Sequence, residues 1–345
     1  MKNNVNIGVI GYGYWGPNLV RNFSEIPGAK VKTVSDFNPE LLAKAQARYP
    51  TIQVTTDCQD IFADSKIDAV AVATPVSTHF DLALAALQAG KHVLVEKPMT
   101  ATSKQAMRLI EEAEKRNLVL MVDHTFVYTG AVRKMHDLIA TNALGDIYYY
   151  DSVRVNLGLF QHDVNVLWDL AVHDLSIMNY VLPSQPYGVS ATGISHVPGG
   201  SENIAYLTLF FENNLIAHIN VNWLAPVKLR RTLIGGSQKM IVFDDLEPSE
   251  KVKVYDRGIT INGNAENIYQ MLIGYRSGDM WAPKLDMAEA LRTEGLHFIR
   301  CIEQGEKPIT DGETGLRVVR ILEAATQSMK KQGRLIELDL AEVAT

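Results

Sequence analysis

The stretch Val5–Gly16, VNIGVIGYGYWG, decides the fold of the first part of this 345-residue chain. It begins with an apolar run typical of a buried β-strand and ends in a complete G-x-G-x-x-G motif. The amphipathic pattern after the motif predicts a helix that ends near Pro27-Gly28. A strand, a glycine turn and a helix in this order indicate a dinucleotide site, because the turn lets the backbone approach a pyrophosphate and the helix N-terminus offers free N–H groups. The motif residues expected at the cofactor are Gly11, Gly13, Tyr14, Trp15 and Gly16.

Asp36 stands at the C-terminal end of a second predicted strand, Lys30–Asp36. A carboxylate at this position accepts hydrogen bonds from both ribose hydroxyls of NAD and repels the 2′-phosphate of NADP. Phe37 and Asn38 follow it, with no arginine that would favour a phosphate. The motif and Asp36 together predict NAD as the cofactor in preference to NADP. The alternatives are a glycine turn without a ligand and an aspartate that only ends a strand.

Composition limits the classes of protein to be considered. Hydrophobic residues make up 47% of the chain and charged residues 21%, as in a soluble protein with two domains. The formal net charge of −6 argues against a nucleic-acid partner. We expect a cytoplasmic protein without a membrane segment, since no apolar run could cross a bilayer and Met1–Asn4 leads directly into the first strand. Cys58 and Cys301 form no metal-binding or disulfide pattern, so no metal is expected.

The order of strand and helix patterns predicts two domains. Up to about residue 123 strands and helices alternate, which indicates an α/β Rossmann domain over 1–123 that binds NAD. Long β-type segments then predict a C-terminal α+β domain over 124–345, with a large, mostly antiparallel open sheet for substrate binding and oligomerisation. In this prediction the C-terminal helices can also pack against the first domain. Because some strands carry apolar residues on both faces, we expect a second subunit to cover the sheet in a homo-oligomer, a dimer or a tetramer.

The motif Glu96-Lys97-Pro98 follows a predicted parallel strand, Lys91–Glu96. Ligands bind outside the carboxyl ends of such strands, so the Lys97 ammonium is expected near the cofactor. There it can hydrogen-bond a substrate hydroxyl and stabilise an alkoxide as it forms. Pro98 is expected to hold the turn rigid, with a cis peptide as one form. A surface lysine in a loop is the alternative.

The segment Asn165–Asp174, NVLWDLAVHD, lies in a predicted helix, Val166–Val181. Asp169 and His173 are four residues apart, so that in an α-helix they share one face. His173 can then accept a hydroxyl proton while Asp169 biases its tautomer and stabilises the imidazolium. A surface ion pair is one alternative. A metal site is disfavoured, because no third His or Cys stands at ligand spacing nearby.

A weaker motif, Thr74-Pro75-x-x-x-His79, follows another predicted strand. Thr74 and Pro75 are expected to pack on the nicotinamide ribose side of the cofactor, and His79 begins the next helix. The alternative interpretation is that Ser77 or Thr78 caps this helix.

The order of these motifs, G-x-G-x-x-G, A-T-P-x-x-x-H, E-K-P and D-x-x-x-H, resembles the Gfo/Idh/MocA oxidoreductases. The resemblance covers essentially the whole chain and includes GDMWAPKLDMAEALRTEGLHFIRCI and TDGETGLRVVRILEAA. It implies a Rossmann domain, a C-terminal α/β domain and hydride transfer between NAD(P) and a hydroxyl carbon of a sugar, inositol or sugar nucleotide. The family's catalytic positions fall on Lys97, Asp169 and His173, and its cofactor positions on Gly11, Gly13, Gly16, Asp36, Thr74, His79 and Glu96.

Three segments, GYGYWGPNLVRNF, HTFVYTGAVRKM and WDLAVHDLSIMNY, further resemble the bacterial branch that oxidises the C3 hydroxyl of UDP-N-acetylglucosamine. In that branch the ketone is converted to a 3-amino sugar by an aminotransferase. The sequence HTFVY at His124–Tyr128 departs from the wider family, which bears on the substrate. The alternatives are an inositol or other free-sugar dehydrogenase and, more remotely, a non-catalytic NAD-sensing regulator.

A nucleotide-sugar substrate also needs groups that meet its diphosphate and its base. Four cations can meet a diphosphate: Lys228, Arg230 and Arg231 after Trp223, and Arg154 on another strand. Trp223 or a tyrosine can stack on a uracil. Solvated charges on an exposed strand are the alternative. His124 is expected to line the nicotinamide pocket. The residues expected to contact the substrate are Lys97, Tyr128, Arg154, Asn165, Asp169 and His173.

Overall fold

A computed structural model describes residues 4–158, 164–262 and 272–338 of the chain. The chain forms two compact units. Unit 1 consists of Met1–Tyr128 with Ala288–Glu323, and unit 2 of Thr129–Met287 with Ala324–Thr345. Unit 1 is thus assembled from two separate segments of the chain, which a local pattern of strands and helices cannot indicate. The assignment of cofactor binding to 1–123 and of substrate binding to 124–345 remains a prediction.

Helices follow the predicted order through the described residues. In this part of the chain, no helix has the length and apolar character needed to cross a membrane. The α-helices are α1 (Gly16–Glu25), α2 (Pro39–Arg48), α3 (Gln59–Ala63), α4 (Val76–Gln88), α5 (Ser103–Lys115), α6 (Gly130–Ala140), α7 (Val172–Val181), α8 (Ala290–Gln304) and α9 (Gly312–Lys330), and Thr125–Tyr128 form a 3-10 turn.

Unit 1 is built on a six-stranded parallel sheet with the order β3-β2-β1-β4-β5-β6. This order is that of a dinucleotide-binding domain, and it confirms the predicted Rossmann fold. The short strand β3 was not predicted, because three residues carry no recognisable pattern. The strands are β1 (Val5–Ile10), β2 (Ala29–Ser35), β3 (Gln53–Thr55), β4 (Ala69–Val72), β5 (His92–Glu96) and β6 (Leu120–Asp123).

Unit 2 contains a nine-stranded sheet with the order β16-β13-β12-β11-β7-β10-β9-β8-β17. Only β7 and β10 pair in parallel within it, so the sheet is mixed but mostly antiparallel, as predicted. Strands β14 and β15 pair antiparallel in a separate two-stranded sheet. The strands are β7 (Ile147–Leu157), β8 (Gly188–Ile194), β9 (Ile204–Phe210), β10 (Ile216–Asn222), β11 (Leu224–Gly236), β12 (Met240–Asp244), β13 (Val252–Tyr255), β14 (Gly258–Asn262), β15 (Leu272–Arg276), β16 (Met280–Trp281) and β17 (Ile336–Glu337).

The two faces of the nine-stranded sheet differ in burial. On one face alternate residues such as Leu207 and Ile219 are fully buried, and the Tyr150 hydroxyl donates to the Asp174 carbonyl oxygen of α7 at 3.2 Å. On the opposite face, Tyr206 on β9 and Ile216 on β10 are 44% and 45% exposed. One face of the sheet therefore packs in the core, while the other presents apolar and polar side chains outward.

The predicted helix Val166–Val181 requires a correction. It begins as a π-helical turn over Leu167–Ala171 and continues as α7 from Val172. Asp169 lies in this turn and His173 in the first turn of α7. The α-helix assumed from the sequence is thus replaced by a π-turn at Asp169. The pairing of Asp169 with His173 on one face stays a prediction.

Candidate functional site

The glycine-rich turn after β1 has the geometry of a dinucleotide-binding turn. Gly11 has a φ of +95°, and a Cβ there would lie 2.5 Å from the Ala73 carbonyl oxygen. A Cβ on Gly16 would lie 2.0 Å from the Gly11 carbonyl oxygen. A Cβ on Gly13 would meet no described atom within 4 Å. Gly11 and Gly16 are thus required by the turn itself, whereas Gly13 keeps the outer side of the turn open to a ligand.

Helix α1 and Asp36 complete the fit to a dinucleotide. The N-cap residue of α1, Trp15, makes no side-chain capping hydrogen bond, which leaves the helix start open to an anion. The Asp36 carboxylate accepts hydrogen bonds from the backbone N–H groups of Tyr12 at 2.6 Å and Asn38 at 2.8 Å. The acidic group is therefore fixed beside the glycine turn, where a ribose would lie. Tyr14, in contrast, is exposed on the turn.

His124, directly after β6, is a buried polar group suited to a ligand. Its side chain is 1% exposed, and neither ring nitrogen has a hydrogen-bond partner among the described residues. Burial, followed by the positive charge of Lys97, lowers the pKa of His124 to about 3. The imidazole is therefore neutral near pH 7 and offers one donor and one acceptor. These unpartnered nitrogens fit a residue that lines a cofactor pocket.

The turn after β5 holds Glu96, Lys97 and Pro98. The Lys97-Pro98 peptide bond is cis, one of the forms expected from the sequence. The backbone N–H of Lys97 donates to Glu96 Oε2 at 2.8 Å. The Lys97 charge lowers the pKa of His124 and opposes the rise in the pKa of Glu96, so the ammonium lies near both groups. The structure thus brings Lys97, Glu96 and His124 together at the carboxyl edge of the parallel sheet.

The motif of Thr74, Pro75 and His79 has mainly internal contacts. Both ring nitrogens of His79 lie 2.8 Å from carbonyl oxygens, Nε2 from that of Thr74 and Nδ1 from that of Pro98. The buried His79 ring therefore ties the loop after β4 to the Lys97-Pro98 turn. The Thr78 hydroxyl lies 2.8 Å from both the Thr74 hydroxyl and the Pro75 carbonyl oxygen. The N-cap residue of α4 is Pro75 and no side chain makes a capping hydrogen bond there, so the capping alternative was wrong.

In unit 2, Asn165 and Asp169 are held by local hydrogen bonds. Asn165 Oδ1 accepts from the backbone N–H groups of Leu167 at 3.1 Å and Trp168 at 3.3 Å, so that Asn165 caps the π-turn. Asp169 Oδ2 accepts from Trp223 Nε1 at 3.0 Å. His173 is half-buried in α7. Because Trp223 is 1% exposed, the expectation that it stacks on a uracil was wrong.

Arg154 and Tyr128 have internal partners in their own units. Arg154 is buried in an ion pair with Asp174, with Nε–Oδ2 at 2.6 Å and Nη2–Oδ1 at 3.3 Å. The hydroxyl of the buried Tyr128 lies 3.2 Å from Thr310 Oγ1. These contacts explain both residues as parts of the fold, and their roles toward a substrate remain predictions. Among the other expected cations, Arg230 and Arg231 pair with Asp245 and Asp244.

Two buried acids were not predicted from the sequence. Asp123, at the end of β6, accepts a hydrogen bond from Trp15 Nε1 at 2.7 Å. Glu294 is fully buried on α8. Two signals in the sequence could have identified them. Asp123 follows the apolar run LVLMV, and Glu294 lies on the apolar face of a helix, beside Leu291 and Phe298. No group of three or more His, Cys, Asp or Glu side chains within the described ranges is arranged to hold a metal ion.

Comparison with known proteins matches both parts of the chain. Residues 5–124 match the NAD-binding Rossmann fold of an oxidoreductase family, and residues 136–338 match its C-terminal alpha/beta domain. UDP-N-acetylglucosamine 3-dehydrogenase of Acidithiobacillus ferrooxidans is 28% identical over 90% of this chain and 93% of its own. Myo-inositol 2-dehydrogenase of Thermotoga maritima is 26% identical over 97% of this chain and 99% of its own.

Solved structures agree with this result. The structure of UDP-N-acetylglucosamine 3-dehydrogenase from Acidithiobacillus ferrooxidans matches with a TM-score of 0.78 at 26% identity, covering 94% of this chain and 98% of that one. A levoglucosan dehydrogenase in complex with NADH shares the fold, with a TM-score of 0.82 at 22% identity, covering 97% of this chain and 99% of that one.

Proposed function

Because the chain belongs to the Gfo/Idh/MocA oxidoreductase family, we propose that it is an NAD-dependent dehydrogenase that oxidises the C3 hydroxyl of a nucleotide sugar, above all UDP-N-acetylglucosamine. The observation that carries the proposal is the position of Lys97, whose charge acts on Glu96 and His124 at the carboxyl edge of the NAD-binding sheet. The similarity to a UDP-N-acetylglucosamine 3-dehydrogenase over nine-tenths of the chain supports the choice of sugar. The product would be the 3-keto sugar used to make a 3-amino sugar.

The proposed reaction gives each residue a separate task. When bound, NAD accepts a hydride from the carbon that carries the hydroxyl. Lys97 hydrogen-bonds this hydroxyl and stabilises the negative charge that develops on its oxygen. His173 takes the hydroxyl proton on a ring nitrogen. Asp169, whose carboxylate is fixed by the Trp223 indole, stabilises the imidazolium.

The proposal is tested by following NADH formation by absorbance with a panel of substrates. The panel contains UDP-N-acetylglucosamine, its C6-uronate, a dTDP-hexose and myo-inositol, each with and without a 2-oxo acid that reoxidises bound NADH. We expect turnover with a UDP-sugar and none with the free cyclitol. Turnover with a dTDP-hexose alone would contradict the UDP-sugar assignment.

A second candidate is an inositol dehydrogenase, which the similarity to myo-inositol 2-dehydrogenase over 97% of this chain favours. The panel separates the two candidates, because an inositol enzyme needs no UDP group. Activity with inositol alone would replace the first proposal with the second. Binding of NAD without turnover on any member of the panel would favour the remote alternative, an NAD-sensing regulator.

The preference for NAD over NADP depends on Asp36. We expect Asp36→Ala to weaken NAD binding by about 10- to 100-fold, the effect of losing hydrogen bonds to a charged group. NADP binding should stay the same or improve, because the repulsion of its phosphate is removed. Calorimetric titration of the wild type and the variant with both dinucleotides measures the two effects. Equal affinity of the wild type for NADP and NAD would contradict this role of Asp36.

We propose further that the protein is a homo-oligomer, a dimer or a tetramer, assembled through the outward face of the nine-stranded sheet. Tyr206 and Ile216 are among the large apolar side chains exposed there, and a second copy would cover them. Light scattering at working concentration gives the mass in solution. A monomer would contradict the proposal.

A further inference from the structure

Asp123 links two turns at the carboxyl edge of the parallel sheet. Its Oδ2 accepts from Trp15 Nε1 of the glycine-rich turn at 2.7 Å, and its Oδ1 accepts from the Thr125 hydroxyl. Asp123 is also the register partner of Glu96 in the pairing of β5 with β6. Both Asp123 oxygens therefore accept hydrogen bonds. Its carboxylate therefore fixes Trp15 next to the turn that carries Lys97.

Glu294 on α8 is a second acid that interacts with Asp123. It is 0% exposed, and its carboxyl group interacts with the side chains of Asp123 and Thr125. Burial, followed by the charge of Asp123, raises the pKa of Glu294 well above its ordinary value. A carboxylate that is fully buried beside another acid is strongly disfavoured, so this environment favours the neutral acid at Glu294.

The charges around Glu96, Asp123 and Glu294 favour the retention of one proton by this group of acids. Desolvation, followed by the charge of Asp123, raises the pKa of Glu96 well above its ordinary value, and Lys97 opposes this rise. The three acids Glu96, Asp123 and Glu294 thus act on one another, and neighbouring carboxyl groups do not all ionise. The groups that face the Glu294 carboxyl are Asp123, Glu96, Thr125 and Tyr128, and Glu96 in turn faces Lys97.

We propose that Glu294 is a positioning residue that acts through Asp123, which holds Trp15 and the glycine-rich turn for NAD binding. As a neutral acid, Glu294 leaves the Asp123–Trp15 contact undisturbed. Once it ionises at alkaline pH, its carboxylate repels that of Asp123. The Asp123–Trp15 hydrogen bond then weakens, and the turn no longer holds the dinucleotide firmly. This inference rests on NAD binding and is independent of the sugar substrate.

The first test measures NAD affinity by calorimetric titration from neutral to alkaline pH. We expect the wild type to lose about tenfold in affinity, the effect of one hydrogen bond to a charged group. Glu294→Gln should keep its neutral affinity throughout, because the amide cannot ionise. Glu303→Gln, an exposed site on the same helix, is the matched control and should follow the wild type. An equal loss of affinity in Glu294→Gln and the wild type would overturn the proposal.

Two further measurements separate positioning from general stability. Trp15→Phe removes the indole N–H, so we expect about tenfold weaker NAD binding at neutral pH and no further loss on raising the pH. Infrared spectra of the protein without NAD should contain a protonated carboxyl band that Glu294→Gln lacks and Glu303→Gln retains. Wild-type affinity in Trp15→Phe, or no difference between the infrared spectra, would contradict the proposal.

The unfolding free energy gives an independent prediction. The pKa of Glu294 is raised in the folded state, so between its ordinary and raised values the folded chain binds more protons than the unfolded chain. Stability from this group is therefore complete below the ordinary carboxyl pKa and is lost as the pH rises toward the folded value. We expect thermal unfolding midpoints to fall less steeply with pH in Glu294→Gln than in the wild type. Identical slopes would mean that Glu294 is already ionised.

Discussion

Replacing Lys97 with alanine is expected to lower turnover by about 10²- to 10⁴-fold, and His173→Ala should have a similar effect. Lys97→Ala removes the contact that stabilises the developing alkoxide, and His173→Ala removes the group that takes the proton. NAD should still bind in both variants, because the glycine turn and Asp36 are intact. Turnover is measured with the substrate identified from the panel, and NAD binding by calorimetric titration.

Matched controls make this first prediction specific. Lys104→Ala removes an exposed lysine of α5, and His136→Ala removes a histidine of α6 whose side chain is 38% exposed. Both controls should turn over like the wild type. Near-normal rates in Lys97→Ala and His173→Ala would refute the catalytic assignment, even if the panel has identified the sugar. Loss of NAD binding in Lys97→Ala would instead indicate that this lysine mainly holds the cofactor.

The second large effect concerns stability and the buried pair of Arg154 and Asp174. We expect Arg154→Ala or Asp174→Ala to lower the unfolding free energy by about 3–5 kcal/mol, because each leaves one buried charge uncompensated. The double variant Arg154→Met/Asp174→Leu should regain much of this loss, since no charge is then buried. Thermal unfolding followed by tryptophan fluorescence reports on unit 2 through Trp223 and Trp168.

The same variants decide what Arg154 does. If it meets a substrate diphosphate, Arg154→Ala should raise KM with little change in the unfolding midpoint. If it is structural, as the 2.6 Å contact to Asp174 indicates, the midpoint falls. Arg231→Ala is the control on β11, because this side chain is 59% exposed and its ion pair is 3.8 Å long. An exposed pair contributes about 0–1 kcal/mol, so this variant should unfold like the wild type.

The sequence predicted unit 1 better than the details of unit 2. A strand, a glycine turn and a helix are local patterns, and buried parallel strands such as Ala69–Val72 read as apolar runs. The π-turn at Leu167–Ala171 was missed because a single such turn has the same apolar sequence pattern as an α-helix.

Local sequence patterns also could not predict which polar groups are buried. Trp223 and Arg154 were predicted to bind the substrate because tryptophan and arginine are common in ligand sites. Only tertiary packing pairs Trp223 with Asp169 and Arg154 with Asp174. Glu294 meets Asp123 although 170 positions of the chain separate them, which no spacing rule connects.

The return of Ala288–Glu323 to unit 1 has a consequence for the order of folding during synthesis. Residues up to Tyr128 leave the ribosome first, but α8 carries side chains that complete their core. Phe298 contacts Phe23 with 6.3 Å between ring centroids, and a Cβ on Gly295 would lie 2.6 Å from Ile26 Cδ1. The apolar surface of the nascent dinucleotide domain therefore stays uncovered until α8 has been translated. A fragment that ends at Tyr128 would keep this surface uncovered permanently, and chaperones would be expected to hold such an intermediate in the cell.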